Sequence, residues 1–223
     1  MDPKSLLRVC LQTVFVFAVA FTGWGWDDLP GFFAHPARAG LVGVALLSLL
    51  LVVALRIPLA MLRKGSRPVG RQRWALASLF LLVLTLMFLL AYGDRRDWLT
   101  FDAPDGLRYL AVAVYFAGNV IAFTAVKTLG RQYSGYVTLQ ENHQLIQSGI
   151  YGLIRHPIYL RMLLVGVSVP VIFRSWLWVP FFLSVLGFVA CRIRSEEKLL
   201  AQQFGGEFET YRRRTWRLIP YLY

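Results

Sequence analysis

Residues 74–93 read WALASLFLLVLTLMFLLAYG, twenty consecutive positions without a charged side chain. That is the length an α-helix needs to cross the ~30 Å hydrocarbon core of a bilayer. No polar face runs along it at the helical period, so no side of the segment is suited to water. In such surroundings a helix satisfies all its backbone groups from within. Reading outward, uncharged stretches recur at Val9–Trp26, Ala39–Leu55, Tyr109–Val126 and Ser175–Cys191. A shorter one, Ile158–Phe173, carries Arg161 and Pro170. Lys4 and Arg8 ahead of the first stretch, with Ala18-Val19-Ala20 inside it, resemble a secretory leader. It is read here as a membrane span.

The composition agrees. Hydrophobic residues make up 57% of the 223 positions and charged residues only 16%, where about 25% is usual for soluble domains. Mean hydropathy is +0.54. A water-soluble domain of this size has too little interior to hide that much apolar surface, and disordered chains lie at the opposite extreme. The expected fold class is all-α, a polytopic transmembrane bundle of five to six helices. The two cysteines, Cys10 and Cys191, both fall in apolar runs and suggest neither a disulfide framework nor a metal site.

Twenty-four Lys and Arg against twelve Asp and Glu leave a formal charge of +12. In a soluble protein that excess would suggest nucleic acid, but sorting the charges along the spans explains it otherwise. With the N-terminus cytoplasmic, seventeen of the basic residues fall on inside segments and five outside: Arg38, Arg95, Arg96, Arg108 and Arg174. Arg56 and Arg161 lie within spans, and the acids divide evenly. This is the positive-inside pattern. It predicts a multi-pass protein with both termini in the cytoplasm, partnered by the lipid bilayer and not by nucleic acid. The outside loops around Trp24-Gly25-Trp26 and Asp94–Asp105 read as interfacial aromatics and turns, with no chemistry expected there.

Polar residues concentrate in two cytoplasmic stretches. The first contains His143-x-Leu145, Gly149-x-Tyr151 and Arg155-His156-Pro157-x-Tyr159. The second contains Glu196-Glu197-x-x-Leu200, then Phe204-Gly205, Phe208 and Tyr211. Pro157 suits the first turn of a helix, whose free N–H groups and positive dipole end would seat an anion. Each piece also has a plainer reading. Arg155 and His156 could contact lipid headgroups, and Glu196-Glu197 could pair with Arg192 or Arg194 on a solvated helix face.

Taken together, in this order and spacing, the motifs resemble the isoprenylcysteine carboxyl methyltransferase family, related to the membrane phospholipid methyltransferases. Leu129-Gly130-Arg131 followed by Ser134 resembles the stretch that opens the family's module. The likeness divides the chain into N-terminal transmembrane helices over residues 1–128 and a methyltransferase module over residues 129–223, comprising a helical hairpin and a cytoplasmic tail. What the resemblance implies is an S-adenosylmethionine pocket on the cytoplasmic side. Carried over by position, the cofactor touches His143, Gln144, Leu145, Ile146, Tyr151, His156, Pro157, Ile158, Tyr159 and Glu196. Arg192, four residues before Glu196 and on the same helix face, matches a position tied to substrate and catalysis, and Glu196 is the second catalytic candidate. No metal is implied.

A carboxylate acceptor needs alignment and desolvation, which a forked Arg192 would supply. An amine acceptor needs a base, for which Glu196 or Glu197 is nearest. The family usually carries Gly two residues after the Tyr of Arg-His-Pro-x-Tyr, whereas this chain has Arg161. That residue either narrows a lipid portal and contacts an anionic substrate or snorkels to headgroups; Arg56, beside Pro58, has the same two readings. The acceptor, lipophilic or small and methylated on oxygen, nitrogen or sulfur, stays open at this point, as does the oligomeric state. So do two other function classes: a membrane NADPH-dependent reductase of the sterol-reductase type, and a non-enzymatic lipid-binding membrane protein.

Overall fold

A computed structural model describes residues 3–55, 70–133 and 144–221. Among them are the helices α1 (Pro3–Trp24), α2 (Leu29–Ala34), α3 (Pro36–Ala54), α4 (Gly70–Arg96), α5 (Asp105–Leu129), α6 (Pro157–Ile172), α7 (Trp178–Phe204) and α8 (Gly206–Arg214). Short 3-10 turns occupy Trp26–Asp28, Gly130–Gln132 and Gly149–Gly152. Five helices, α1, α3, α4, α5 and α7, are long and apolar enough to cross a membrane, and each contains most of one predicted span. The all-α membrane architecture expected from the sequence is the one observed. Arg56 lies outside the described residues.

The sixth stretch is α6, shorter and apolar. At sixteen residues it is about 24 Å long. It packs mainly along α5 and then forms a hairpin with α7. Gly118 of α5 faces it, and a side-chain carbon there would come within 3.4 Å of Leu164 and 3.7 Å of Arg161. The missing side chain lets the two helices approach with the Arg161 stem between them.

The far end of α6 meets a buried ion cluster where the sequence suggested only turns. The Asp94 side chain, at 0% exposure, accepts hydrogen bonds from Arg38 Nη1 at 2.6 Å, Arg174 Nε at 2.7 Å and Arg108 Nη2 at 3.5 Å. Arg38 also donates to the carbonyls of Phe32 and Gly31 and lies 4.5 Å over the Trp24 ring. Arg108 Nε donates to the Ile172 carbonyl at the C-terminus of α6, where the helix dipole favours a cation. These contacts disperse the positive excess of three arginines around one aspartate. The four residues, sorted to one side by the charge count, meet in space and tie α3, α4, α5 and the α6–α7 turn together. Around them pack Phe32, Leu90, Ala91, Ile172 and Phe173, all fully buried.

The stretch predicted to end at Cys191 continues as helix to Phe204. Its buried positions Phe181, Val185, Val189, Ile193 and Glu197 recur every four residues. An apolar stripe therefore runs down α7 and terminates in a carboxylate.

Candidate functional site at the start of α6

The turn before α6 has its shape because of Gly149. Its φ is +57°, and a side-chain carbon there would stand 3.1 Å from the Thr128 hydroxyl. A left-handed backbone is costly for any residue with Cβ. The turn presents Tyr151, whose carbonyl accepts a hydrogen bond from the buried Tyr211 hydroxyl at 2.8 Å. Gly205, at φ +50°, caps α7 and turns the chain into α8, which carries Tyr211. The tail then lies against the residues ahead of α6. Trp216 N–H donates to Leu153 O at 3.0 Å, Arg155 N–H to Trp216 O at 2.8 Å, and His156 N–H to Arg217 O at 3.1 Å.

Glu197 is the hub of this arrangement. Oε1 accepts from His156 Nε2 at 3.2 Å, Arg155 Nε at 3.3 Å and Arg217 Nε at 3.2 Å, and Oε2 from Arg217 Nη2 at 2.7 Å. One carboxylate on α7 thus fastens the N-cap of α6 and the C-terminal tail. Arg155 also donates to the Thr215 carbonyl and hydroxyl and to the Arg212 carbonyl. A solvated pairing of Glu197 with Arg192 or Arg194 is not what forms. Arg194 is exposed, and Glu197 is held by partners from two other segments.

Beside the hub stands a second group. The Tyr159 hydroxyl lies close enough to Glu196 and Arg192 to feel both charges. Arg192 Nη1 donates to Gln72 Oε1 at 3.2 Å, and its guanidinium lies 5.8 Å from the Phe188 ring. The Glu196 side chain keeps 36% of its surface exposed, with Oε2 4.0 Å from His156 Nδ1. Tyr151 and Tyr133 are both buried, and the Tyr151 hydroxyl senses Glu196, Tyr133, Tyr211 and Tyr159. Burial pushes the phenols of Tyr151 and Tyr211 above their ordinary value. Their hydroxyls therefore stay protonated as donors at neutral pH. A partly exposed carboxylate edged by aromatic rings, next to a guanidinium, is suited to binding a cation at one point and an anion at the other.

The predicted residues divide accordingly. Tyr151, His156, Pro157, Tyr159, Arg192 and Glu196 converge around the start of α6. Gln144 is exposed, its backbone N–H on the Gln132 side-chain oxygen at 3.1 Å, and Leu145 and Ile146 follow it half-buried. Ile158 and Arg161 turn instead to a cavity between the membrane helices. His143 and Ser134 lie outside the described residues. The motif reading gave Glu197 a possible role as base or as an ion-pair partner, named Tyr211 without a role, and did not single out Arg217 or Tyr133. The four-residue stripe ending in Glu197 is a signal that could have identified it. The contacts of Arg217 with Glu197 and of Tyr211 with Tyr151 become visible only when the tail is folded back.

Residues 111–202 match the sequence model described as the isoprenylcysteine carboxyl methyltransferase (ICMT) family. A protein of Oryza sativa subsp. indica named "Probable protein-S-isoprenylcysteine O-methyltransferase" is 33% identical over 117 residues, 51% of this chain and 61% of that protein. Arabidopsis thaliana "Protein-S-isoprenylcysteine O-methyltransferase A" is 29% identical over 155 residues, covering 68% of this chain and 75% of that one. The chain thus spans about three-fifths of the rice relative's length. Among solved structures, that of a eukaryotic intramembrane Ras methyltransferase, isoprenylcysteine carboxyl methyltransferase, shares the fold. Its TM-score is 0.55 at 19% identity, over 93% of this chain and 74% of that one. Residues 111–202 thus match the sequence model of the isoprenylcysteine carboxyl methyltransferase family, and nearly the whole chain shares the fold of the solved methyltransferase.

Proposed function

We propose that the protein is an integral membrane methyltransferase that uses S-adenosylmethionine to methylate a lipophilic or small acceptor, with an isoprenylcysteine-type carboxylate the leading class. The observation that carries this reading is the convergence of Tyr159, Arg192 and Glu196 beside the Glu197 hub, within the segment that matches the family. The positive-inside charge count supports a cytoplasmic site. In this reading residues 1–128 form the acceptor's membrane environment and residues 129–223 bind the methyl donor.

S-adenosylmethionine, when bound, supplies an electrophilic methyl group on a cationic sulfur. The residues present fit it. Glu196 offers a carboxylate to a cation or to ribose hydroxyls. Tyr151 and Tyr159 offer ring faces. The start of α6, where the His156 side chain caps none of the backbone, offers N–H groups to a carboxylate. His143, Gln144, Leu145 and Ile146 belong to the same proposed set by their place in the motif. Arg192, steadied by Tyr159 and Gln72, orients an acceptor carboxylate through its guanidinium fork. Such a nucleophile needs no base, so the remaining work is alignment and exclusion of water.

Isothermal titration of the detergent-solubilised protein with S-adenosylhomocysteine tests the reading. Saturable micromolar binding is expected, and Glu196→Gln or His156→Ala should weaken it at least about tenfold, or 1.4 kcal/mol. Absence of binding at high micromolar concentration would overturn the function, and unchanged affinity in both variants would overturn the site. Tritiated-methyl transfer into fractionated lipids and small thiols then identifies the acceptor.

A further inference from the structure

Beyond its apolar span α7 ends at Phe204, and the chain turns at Gly205 into α8. The tail then runs back to the start of α6, with Trp216 N–H on Leu153 O and His156 N–H on Arg217 O. Leu218 is buried in the same apolar cluster as Val185, Val189 and Ile193 of α7. The tail is therefore held where α6 and α7 pass from the polar site into the apolar bundle, the level of lipid headgroups.

One face of this segment is left uncovered. Arg212, Arg213 and Arg214 close α8 and are all exposed. Beside them Trp216 is 38% exposed, Ile219 43%, Tyr221 87% and Leu153 53%, and the Trp216 and Tyr221 rings lie 5.5 Å apart. A helix C-terminus favours cations in its last turn, but that gives no reason for apolar and aromatic side chains to stay open to water next to them. A single exposed apolar residue needs no explanation, whereas several gathered around one backbone ladder mark a contact surface. The charge is also in excess. Glu209 reaches Arg212 at 3.5 Å, Glu207 accepts from Gln147, and Arg217 is committed to Glu197. Among the described residues no ion pair includes Arg213 or Arg214.

We infer that α8 and the tail form a docking surface for the anionic headgroups of the bilayer around the protein, and that this contact braces one wall of the candidate site. The arginines meet the phosphates and carboxylates of acidic lipids while Trp216, Ile219, Tyr221 and Leu153 enter the interface, the combination by which basic segments with apolar edges bind an acidic leaflet. Continuity with the apolar bundle through Leu218 favours lipid over an acidic protein as the occupant. The brace is mechanical. α8 carries Tyr211, whose hydroxyl holds the Tyr151 carbonyl, and the tail carries Arg217, which holds Glu197. The inference goes beyond the methyltransferase reading and stands on the surface alone.

The test places the full chain in nanodiscs of phosphatidylcholine, with or without about 30 mol% phosphatidylserine, and follows amide hydrogen exchange by mass spectrometry. With the acidic lipid, exchange over 206–221 and over 149–156 should slow at least about fivefold, the factor that one arginine near an acidic surface contributes. R212Q/R213Q/R214Q should remove the difference, and R212K/R213K/R214K, which keeps the charge, should retain it. Salt at about 1 M, where the Debye length falls to about 3 Å, should also remove it. Unchanged exchange over α4 and α5 shows that each variant is folded. Equal exchange in the two discs, or slowing that survives the glutamine substitutions, would overturn the docking. Slowing confined to 206–221 would overturn the brace. Protection by soluble polyglutamate in phosphatidylcholine discs, as strong as that by phosphatidylserine, would overturn lipid as the occupant in favour of an acidic protein. The readout is exchange and not activity, so failure of the methyltransferase reading would leave this result untouched.

Discussion

Glu196 and Glu197 are adjacent, identical in type and indistinguishable by composition, yet the structure assigns them opposite burdens. Glu197 accepts four hydrogen bonds from His156, Arg155 and Arg217, with its side chain only 10% exposed. Replacing it with Gln keeps the shape, removes the charge and turns an amide N–H₂ toward a guanidinium. Breaking a buried pair by neutralising one partner costs about 3–5 kcal/mol. Arg217 is 29% exposed and can rehydrate, and the Gln carbonyl still accepts a bond, so the expected loss is roughly 2–4 kcal/mol. For a chain of this size that lowers Tm by roughly 5–15 °C. Glu196→Gln makes the same chemical change at a side chain that is 36% exposed and whose Oε2 stands no nearer than 4.0 Å to His156 Nδ1; its cost should stay within about 1 kcal/mol. Thermal unfolding of both variants in one detergent, followed by tryptophan fluorescence, makes the comparison. Equal Tm losses in the two variants, or a Glu197→Gln Tm within about 2 °C of wild type, would refute the hub.

Further expectations follow from the other contacts. Asp94→Asn leaves Arg38, Arg108 and Arg174 without their shared carboxylate, and should cost about 3–5 kcal/mol, lowering Tm at least as far as Glu197→Gln. Because that cluster lies at the opposite end of α6, S-adenosylhomocysteine affinity measured well below the new Tm should be unchanged. Gly149→Ala adds a Cβ at φ +57° against Thr128 and should cost about 1–3 kcal/mol, read by the same melt. High pH provides a linkage test. Burial raises the folded-state pKa of Tyr151 and Tyr211, the positive field of Arg155 opposing it at Tyr211. Their neutral forms therefore stabilise the fold below the unfolded phenol value of about 10, and that contribution is lost as pH rises through the raised folded values. Tm measured across this range should fall less steeply in Tyr211→Phe than in wild type, and equal slopes would count against the buried hydroxyl.

Much of the fold was legible because the bilayer imposes a local rule. A helix that must satisfy its backbone in hydrocarbon advertises itself by length and lack of charge, as 74–93 does, with no reference to its neighbours. The site motifs were legible as a set of residue types, and Pro157 marks a helix start whatever surrounds it, whereas the left-handed turn at Gly149 came only with the structure. The uncharged span ends at Cys191, and the helix runs on past it, carrying the Arg192–Glu196 face expected from the spacing, to Phe204.

Sequence alone determined that the chain is a membrane helical bundle, which end of each span its charges favour, and which motif residues cluster along the chain. Only the tertiary structure decided that Glu197 and not Arg192 or Arg194 organises the ion pairs, that Asp94 gathers three arginines from separate elements, and that Arg161 faces an apolar cavity. Each of these depends on partners far apart in sequence: Arg155 and Arg217 lie 42 and 20 residues from Glu197, and Arg38 lies 56 from Asp94. The strength of a charge interaction is set by burial and by distances of a few ångströms, and both come into being only when those segments pack.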